Sequence, residues 1–278
     1  MTDRYAVIGN PIDHSKSPLI HGLFAQATGQ DLHYTALLGE TTPGGFARAA
    51  NAFRAAGGRG LNVTVPFKTD AFAYATELSP DAQLAGAVNA LKFEGDRVLG
   101  QNFDGIGLVR DVERNLGLAI AGQRVLVLGA GGATRGALLP LARAGASLIV
   151  VANRTAEKAK ILAQTFVPHA GGTTVEGCGL GALEDRVFDI VFNATSASLS
   201  AELPVISPSV FAPGALAYDL VYGKGLTPFL RLARQAGCAQ VVDGVGMLAE
   251  QAAEAFEWWR GVRPDTRDVI ARLTVPLT

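Results

Sequence analysis

Lys68 closes the run Asn62-Val-Thr-Val-Pro-Phe-Lys68, and a lysine delivered to the end of a short strand is a group that can move a proton. Leu61, Val63 and Val65 alternate with Asn62 and Thr64, a period of two that puts the polar side chains on one face. Pro66 has no N–H for a sheet ladder, so pairing should stop there and Lys68 should land at a strand end or helix start. Unlike a guanidinium, a desolvated ammonium readily gives up its proton. The only lysines are Lys16, Lys68, Lys92, Lys158, Lys160 and Lys224. Lys68 is a candidate acid or base, set against the plainer reading of a solvated lysine at a strand end.

A second constellation lies mid-chain. Val125-Leu-Val-Leu-Gly129-Ala130-Gly131-Gly132-Ala133 places a glycine-rich turn between a strand and a helix. Such a turn lets backbone N–H groups approach a pyrophosphate at the helix N-terminus. The GxGxxG pattern is not met, because position 134 is threonine, although Gly136 stands where close helix–strand packing needs a small residue. An NAD site expects an acidic residue at the end of the second strand, about 20 residues on. Here the strand ends Asn153-Arg154-Thr155, with Lys158 one turn later. Arg154 and Lys158 can share a helix face and accept a 2′-phosphate, which favours NADP over NAD; the alternative is two solvated cations at a helix start.

The elements that must hold these residues alternate along the chain. Expected are a strand at Tyr5–Ile8, a helix from Ser17-Pro18 to Gly29 with Ser17 as N-cap, a strand at Leu32–Leu38 and a helix at Gly45–Ala56. Arg59–Val65 reads as a strand, about Thr69–Glu77 as a helix, and Ala87–Phe93 with Arg97–Gly100 as a hairpin around Gly95-Asp96. Asp104–Gly117 reads as one connecting helix. Strand Arg124–Leu128, helix Ala133–Ala144, strand Ser147–Val151 and helix Thr155–Thr165 then form a βαβα unit, the signature of a parallel sheet covered on both faces. Apolar strands follow at Phe188–Phe192, Ala215–Leu220 and Ala239–Val242. Val245–Arg260 is a long helix whose apolar stripe carries Gln251, either a hydrogen-bonded core residue or a group facing a ligand.

The 278 residues suffice for two domains, and 49% hydrophobic with 18% charged content implies a large apolar core. With 24 basic and 25 acidic residues, a net charge of −1 and no basic run, neither nucleic acid nor membrane headgroups are expected partners. Two cysteines, Cys178 and Cys238, form no disulfide pattern, so a reducing compartment is expected. No signal peptide is expected and no apolar stretch reaches roughly 18 residues, which points to a soluble cytoplasmic protein. His14, His21, His33 and His169 lack metal-ligand spacing, so no metal is expected.

In this order the motifs resemble the shikimate dehydrogenase family over nearly the whole chain. They are Gly9-Asn-Pro11 with His14-Ser-Lys-Ser-Pro18, Asn62–Lys68, Gly86-Ala-Val-Asn89, Asp104-Gly-Ile-Gly107, Gly129-Ala-Gly-Gly132 and Asn153-Arg-Thr155. Asn193-Ala-Thr195, Tyr222 with Lys224-Gly-Leu-Thr-Pro228, and Asp243-Gly-Val-Gly-Met247 with Gln251 complete them. The resemblance implies reversible NADPH-dependent reduction of 3-dehydroshikimate to shikimate, a step toward chorismate and the aromatic amino acids. It implies an α/β fold in which residues 1–104, completed by 244–278, bind substrate, with a Rossmann-type doubly wound parallel sheet inserted at 105–243. Carried over by position, Lys68 and Asp104 form the catalytic pair. Ser15 and Ser17, assisted by Tyr222, bind the substrate carboxylate; if Asp13–Ser17 is extended, the two hydroxyls point the same way. Thr64, Asn89 and Gln251 bind ring hydroxyls. Gly129, Ala130, Gly131, Gly132, Ala133, Asn153, Arg154, Thr155, Lys158, Thr195 and Gly244 bind NADP. A monomer or homodimer is expected.

Three positions depart from the family pattern. Phe103 replaces the usual threonine before Asp104. Ser196-Ala-Ser198 replaces the usual Ser-Ser-Gly or Pro-x-Gly on the nicotinamide side. Ser17 stands where quinate-using members often carry threonine, which favours shikimate over quinate. The alternatives are an NAD-dependent quinate/shikimate dehydrogenase and a metabolite-binding homologue without turnover.

Overall fold

The computed structural model describes residues 2–195 and 205–278. The described chain divides into two compact units, one of residues 1–107 with 249–269, the other of 108–248 with 270–278.

The first unit begins with strand β1 (Asp3–Gly9), helix α1 (Ser17–Thr28), β2 (Leu32–Leu38), α2 (Gly45–Ala55) and β3 (Gly58–Val63). There follow α3 (Lys68–Tyr74), β4 (Glu77–Leu78), α4 (Pro80–Ala85), β5 (Ala90–Glu94) and β6 (Arg97–Gln101). One sheet runs β2-β1-β3-β5-β6-β4. β1 pairs in parallel with β2 and β3, whereas β5 is antiparallel to β3 and to β6. The parallel half carries β1, whose Ala6, Val7 and Ile8 are buried, as a strand covered on both faces must be.

β3 ends at Val63, two residues earlier than its pattern suggests. Thr64 still donates to Ile8 O, but Val65 is 67% exposed and Phe67 N–H turns back to Thr64 O. Lys68 therefore opens α3, the placement Pro66 demands. The helix expected to reach Glu77 stops at Tyr74, and Ser79-Pro80 starts a separate α4, with the Ser79 hydroxyl accepting the Ala82 N–H at 3.2 Å. The N-cap expected at Ser17 falls on Lys16 without a side-chain cap bond.

Helix α5 (Asp104–Arg110) does not continue to Gly117; it relaxes into a π-helical turn at Asp111–Asn115. The second unit then sets out β7 (Arg124–Leu128), α6 (Gly132–Arg143), β8 (Leu148–Asn153), α7 (Ala156–Phe166), β9 (Thr174–Gly179) and β10 (Phe188–Asn193). β11 (Phe211–Asp219), α8 (Pro228–Gln235) and β12 (Gln240–Asp243) follow. The sheet runs β12-β11-β10-β7-β8-β9 with parallel pairing throughout. This is the doubly wound dinucleotide-binding order, in which direction reverses between β7 and β10 and ligands bind beyond the carboxyl ends of the strands. Helix α9 (Val245–Arg260) and α10 (Arg267–Leu273) complete the chain.

Candidate active site

In the first unit, the start of α3, the start of α5, the lead into β5 and the middle of α9 converge. Lys68 Nζ lies 2.5 Å from Asp104 Oδ2, with the two side chains 30% and 11% exposed. The other carboxylate oxygen, Oδ1, accepts from Asn89 Nδ2 at 2.8 Å. Asn89 is buried, and its Oδ1 accepts the Phe103 N–H at 2.9 Å. Its Nδ2 also reaches Gln251 Oε1 at 3.4 Å, so the glutamine on the apolar stripe of α9 turns toward this polar group. The close approach of α5 and α9 depends on Gly107, where an added Cβ would stand 2.7 Å from Gln251 N.

The polar face extends beneath β3. Tyr34 Oη donates to Asn62 Oδ1 at 2.7 Å, and Asn62 Nδ2 reaches Asn89 O at 3.4 Å. Burial holds the Tyr34 phenol well above its ordinary range, with Ser17 pulling the other way. Ser17 is buried and Ser15 partly so. They do not sit on an extended segment: Ser15 N–H bonds back to Ile12 O, and Ser15 Oγ accepts the Ser17 N–H at 3.3 Å. Thr64 is partly buried beside Gly9, where an added Cβ would meet its methyl group. The Tyr34 ring lies flat on the buried His21, centroids 4.2 Å apart.

In the second unit, Gly129 leaves β7 with φ +101°, and an added Cβ would lie 3.1 Å from Ala194 O. A side chain there is strained in conformation and in space. Gly131 and Gly132 are exposed at the start of the twelve-residue α6, which has no side-chain cap, and an added Cβ at either would meet nothing within 4 Å. The turn thus presents uncapped helical N–H groups to open space, as a pyrophosphate requires. Gly136 is buried on α6. Where an acidic residue would hold a ribose, Asn153 turns its Nδ2 to Thr155 O at 3.0 Å. Arg154 and Lys158 are exposed beside it, and neither is ion-paired among the described residues. The Thr195 hydroxyl donates to Asn193 Oδ1 at 2.7 Å. Gly244 is buried so tightly that a Cβ would clash with Leu220 O. Tyr222 is 38% exposed in the loop after β11.

A family profile for the shikimate dehydrogenase substrate-binding domain matches residues 7–91. One for shikimate/quinate 5-dehydrogenase matches 111–207, and one for the shikimate 5′-dehydrogenase C-terminal domain matches 244–274. The NADP(+) shikimate dehydrogenase of Aromatoleum aromaticum is 55% identical over 271 residues, covering 98% of this chain and 96% of the relative. This chain belongs to the shikimate dehydrogenase family. Among solved structures, an Ael1 enzyme from Pseudomonas putida superposes with a TM-score of 0.93 at 57% identity and full coverage of both chains. Shikimate 5-dehydrogenase from Thermus thermophilus, solved in complex with NADP(H) and shikimate, gives 0.85 at 32% identity, covering 98% of this chain and 100% of the other.

Against the family pattern, Phe103 keeps its backbone N–H on Asn89 and sends its ring edge-on to Trp258, centroids 5.7 Å apart, within an apolar cluster that includes Trp259 and Ala255. Its ring is housed in the core, and the Asp104 carboxylate bonds Lys68 and Asn89. The Ser196-Ala-Ser198 departure lies outside the described residues. Residues of this site that the pattern alone did not single out are Tyr34 and Asn102; Asn62 was visible only as a polar face. Among the described residues no cluster of His, Cys, Asp or Glu could hold a metal ion.

Proposed function

We propose that this protein catalyses the reversible NADP-dependent reduction of 3-dehydroshikimate to shikimate, with Lys68 and Asp104 as its catalytic pair. The observation that carries the assignment is the 2.5 Å Lys68–Asp104 contact, held in a buried amide network within a chain of this family. When bound, NADPH supplies the hydride. As the carbonyl carbon accepts it, the carbonyl oxygen gains negative charge and needs a nearby proton donor. Lys68 Nζ gives that proton, and takes it back when shikimate is oxidised. Asp104 holds the ammonium in place through Oδ2 while Asn89 fixes Oδ1.

Ser15 and Ser17, with Tyr222, bind the substrate carboxylate; Thr64, Asn89 and Gln251 bind ring hydroxyls. We assign residues 1–104 with 244–278 to the substrate domain and 105–243 to the NADP domain. The substrate-domain profile at 7–91 and the doubly wound sheet that follows it support the body of each, while the compact units put 105–107 with the first and 244–248 and 270–278 with the second. Gly129, Ala130, Gly131, Gly132 and Ala133 would hold the pyrophosphate through their backbone. Asn153, Arg154, Thr155 and Lys158 would hold the adenosine ribose and its 2′-phosphate, and Thr195 and Gly244 would complete the cofactor site. The enzyme works on small molecules in the cytoplasm, as a monomer or homodimer. The free cysteines Cys178 and Cys238 are compatible with a reducing compartment.

Purified protein supplied with shikimate or quinate, and with NADP or NAD in turn, tests the assignment by cofactor reduction. Shikimate with NADP should turn over fastest; turnover on quinate with NAD alone would favour the quinate-using alternative, and none with any pair would leave a binding protein.

A further inference from the structure

Asn102, two residues before Asp104, is 3% exposed, and both ends of its amide are committed. Its Oδ1 accepts the Asp104 backbone N–H at 3.2 Å, and its Nδ2 donates to Ala87 O at 3.1 Å. The segment it grips also touches the other member of the pair, because Val88 N–H donates to Lys68 O at 2.9 Å. Asn89, next along, holds the Phe103 N–H and the Asp104 carboxylate and is itself paired to Gln101 O. The strap Ala87–Asn89 therefore carries the backbone of the lysine on one side and, through Asn102, the backbone of the aspartate on the other.

We infer that Asn102 is a positioning residue for the Lys68–Asp104 pair, acting through the Asp104 amide and the Ala87 carbonyl. The inference rests on the catalytic roles proposed above for Lys68 and Asp104. The amide is suited to the task because one end accepts and the other donates across the same gap. Serine retains an acceptor for the Asp104 amide but is too short to span to Ala87 O as well. An aspartate matches the shape but turns a second acceptor toward a carbonyl. Displacing a catalytic group by about 1 Å can cost on the order of a hundredfold in rate, so a tie on the Asp104 backbone is expected to act on turnover.

A buried asparagine that merely supports the fold would lower stability without regard to residue 104. A double-mutant cycle between Asn102→Ala and Asp104→Ala separates the two roles, read as kcat for shikimate oxidation, with NADP affinity and circular dichroism monitoring the fold. With Asp104 present, Asn102→Ala should lower kcat roughly ten- to a hundredfold. With Asp104 already alanine it should cost less than about threefold, because no carboxylate remains to be aimed. Asn102→Ser should recover part of the loss, and it replaces Asn102→Ala in the cycle if the alanine variant does not fold. Equal losses in both backgrounds, or no loss with Asp104 present, would overturn the inference while leaving the catalytic pair intact. Near-normal turnover by Asp104→Ala would instead overturn the catalytic assignment, and this inference with it.

Discussion

Asn89 Nδ2 stands 2.8 Å from Asp104 Oδ1, so the oxygen not used by Lys68 is held by a neutral donor. Each carboxylate oxygen thus has its own partner, and the ammonium faces one fixed oxygen. The same asparagine accepts the Phe103 N–H. One side chain therefore fixes both the carboxylate and the start of the helix that bears it. A carboxylate tied on both sides cannot rotate away from the lysine without breaking a buried bond, which is costly where no water can replace it.

Replacing Asn89 by Asp keeps the shape and the acceptor for Phe103 but turns a negative oxygen toward Asp104. Two carboxylates at hydrogen-bonding distance cannot both ionise comfortably, and Asn89 is only 2% exposed. Asn89→Asp should lower kcat at pH 7 by about a hundredfold or more and cost about 1–3 kcal/mol of stability. Steady-state kinetics and urea titration check both, and an unchanged kcat would show that Asp104 needs no such brace.

Removing the amine of Lys68 removes the proton donor but none of the proposed carboxylate ligands. Lys68→Ala should lower kcat by roughly 10²–10⁴. Shikimate binding, measured calorimetrically, should weaken far less. Lys68→Arg should remain slow, since a guanidinium holds its proton too firmly to deliver it. Near-normal turnover in the arginine variant would reduce Lys68 to an electrostatic role.

Arg154 is exposed at the end of β8, where the neighbouring Asn153 leaves no carboxylate to repel a phosphate. Charge-assisted bonds to a phosphate contribute about 1.5–3 kcal/mol each. Arg154→Ala should therefore raise the Michaelis constant for NADP roughly ten- to a hundredfold and that for NAD by no more than about twofold. Equal effects on the two cofactors would place Arg154 outside the phosphate site.

Lys68 was legible because Pro66 must end the pairing of β3, and the glycine turn because a strand precedes it and a helix follows. Less legible were elements whose composition hides their environment. β9 carries Gly177 and Gly179 and pairs on one side only, with β8, so it lacks the apolar run of a central strand. α8 is eight residues long, and its start is announced mainly by the Thr227 hydroxyl accepting the Leu230 N–H. In the site, Tyr34 bonds Asn62, and the amide nitrogen of Asn102 bonds Ala87 O, 28 and 15 residues away in the chain. No local periodicity reports which distant carbonyl an amide will find. The extended segment expected around Ser15 fails for a related reason: the Ser15 N–H returns to Ile12 O and closes a turn.

His21 makes stability depend on acid. It is fully buried against Tyr34, Phe24 and Phe256, and neither ring nitrogen has a hydrogen-bond partner among the described residues. Burial lowers its pKa from 6.5 to about 3; Asn62 is near enough to favour the charged ring slightly but lies outside bonding geometry. The folded state thus resists a proton that the unfolded chain accepts. Between pH 6.5 and about 3 the unfolded state binds more protons, so stability falls as pH falls, by up to about 1.4 kcal/mol per pH unit from this group. Above pH 6.5 both states hold a neutral ring and the penalty vanishes. His21→Phe keeps an aromatic ring against Tyr34 and has nothing to protonate. Urea midpoints should accordingly lie close together for the two proteins at pH 7.5 and separate in favour of the variant as the pH drops to 4.5. Parallel curves across that range would mean that His21 takes up its proton as readily in the folded protein as in the unfolded chain.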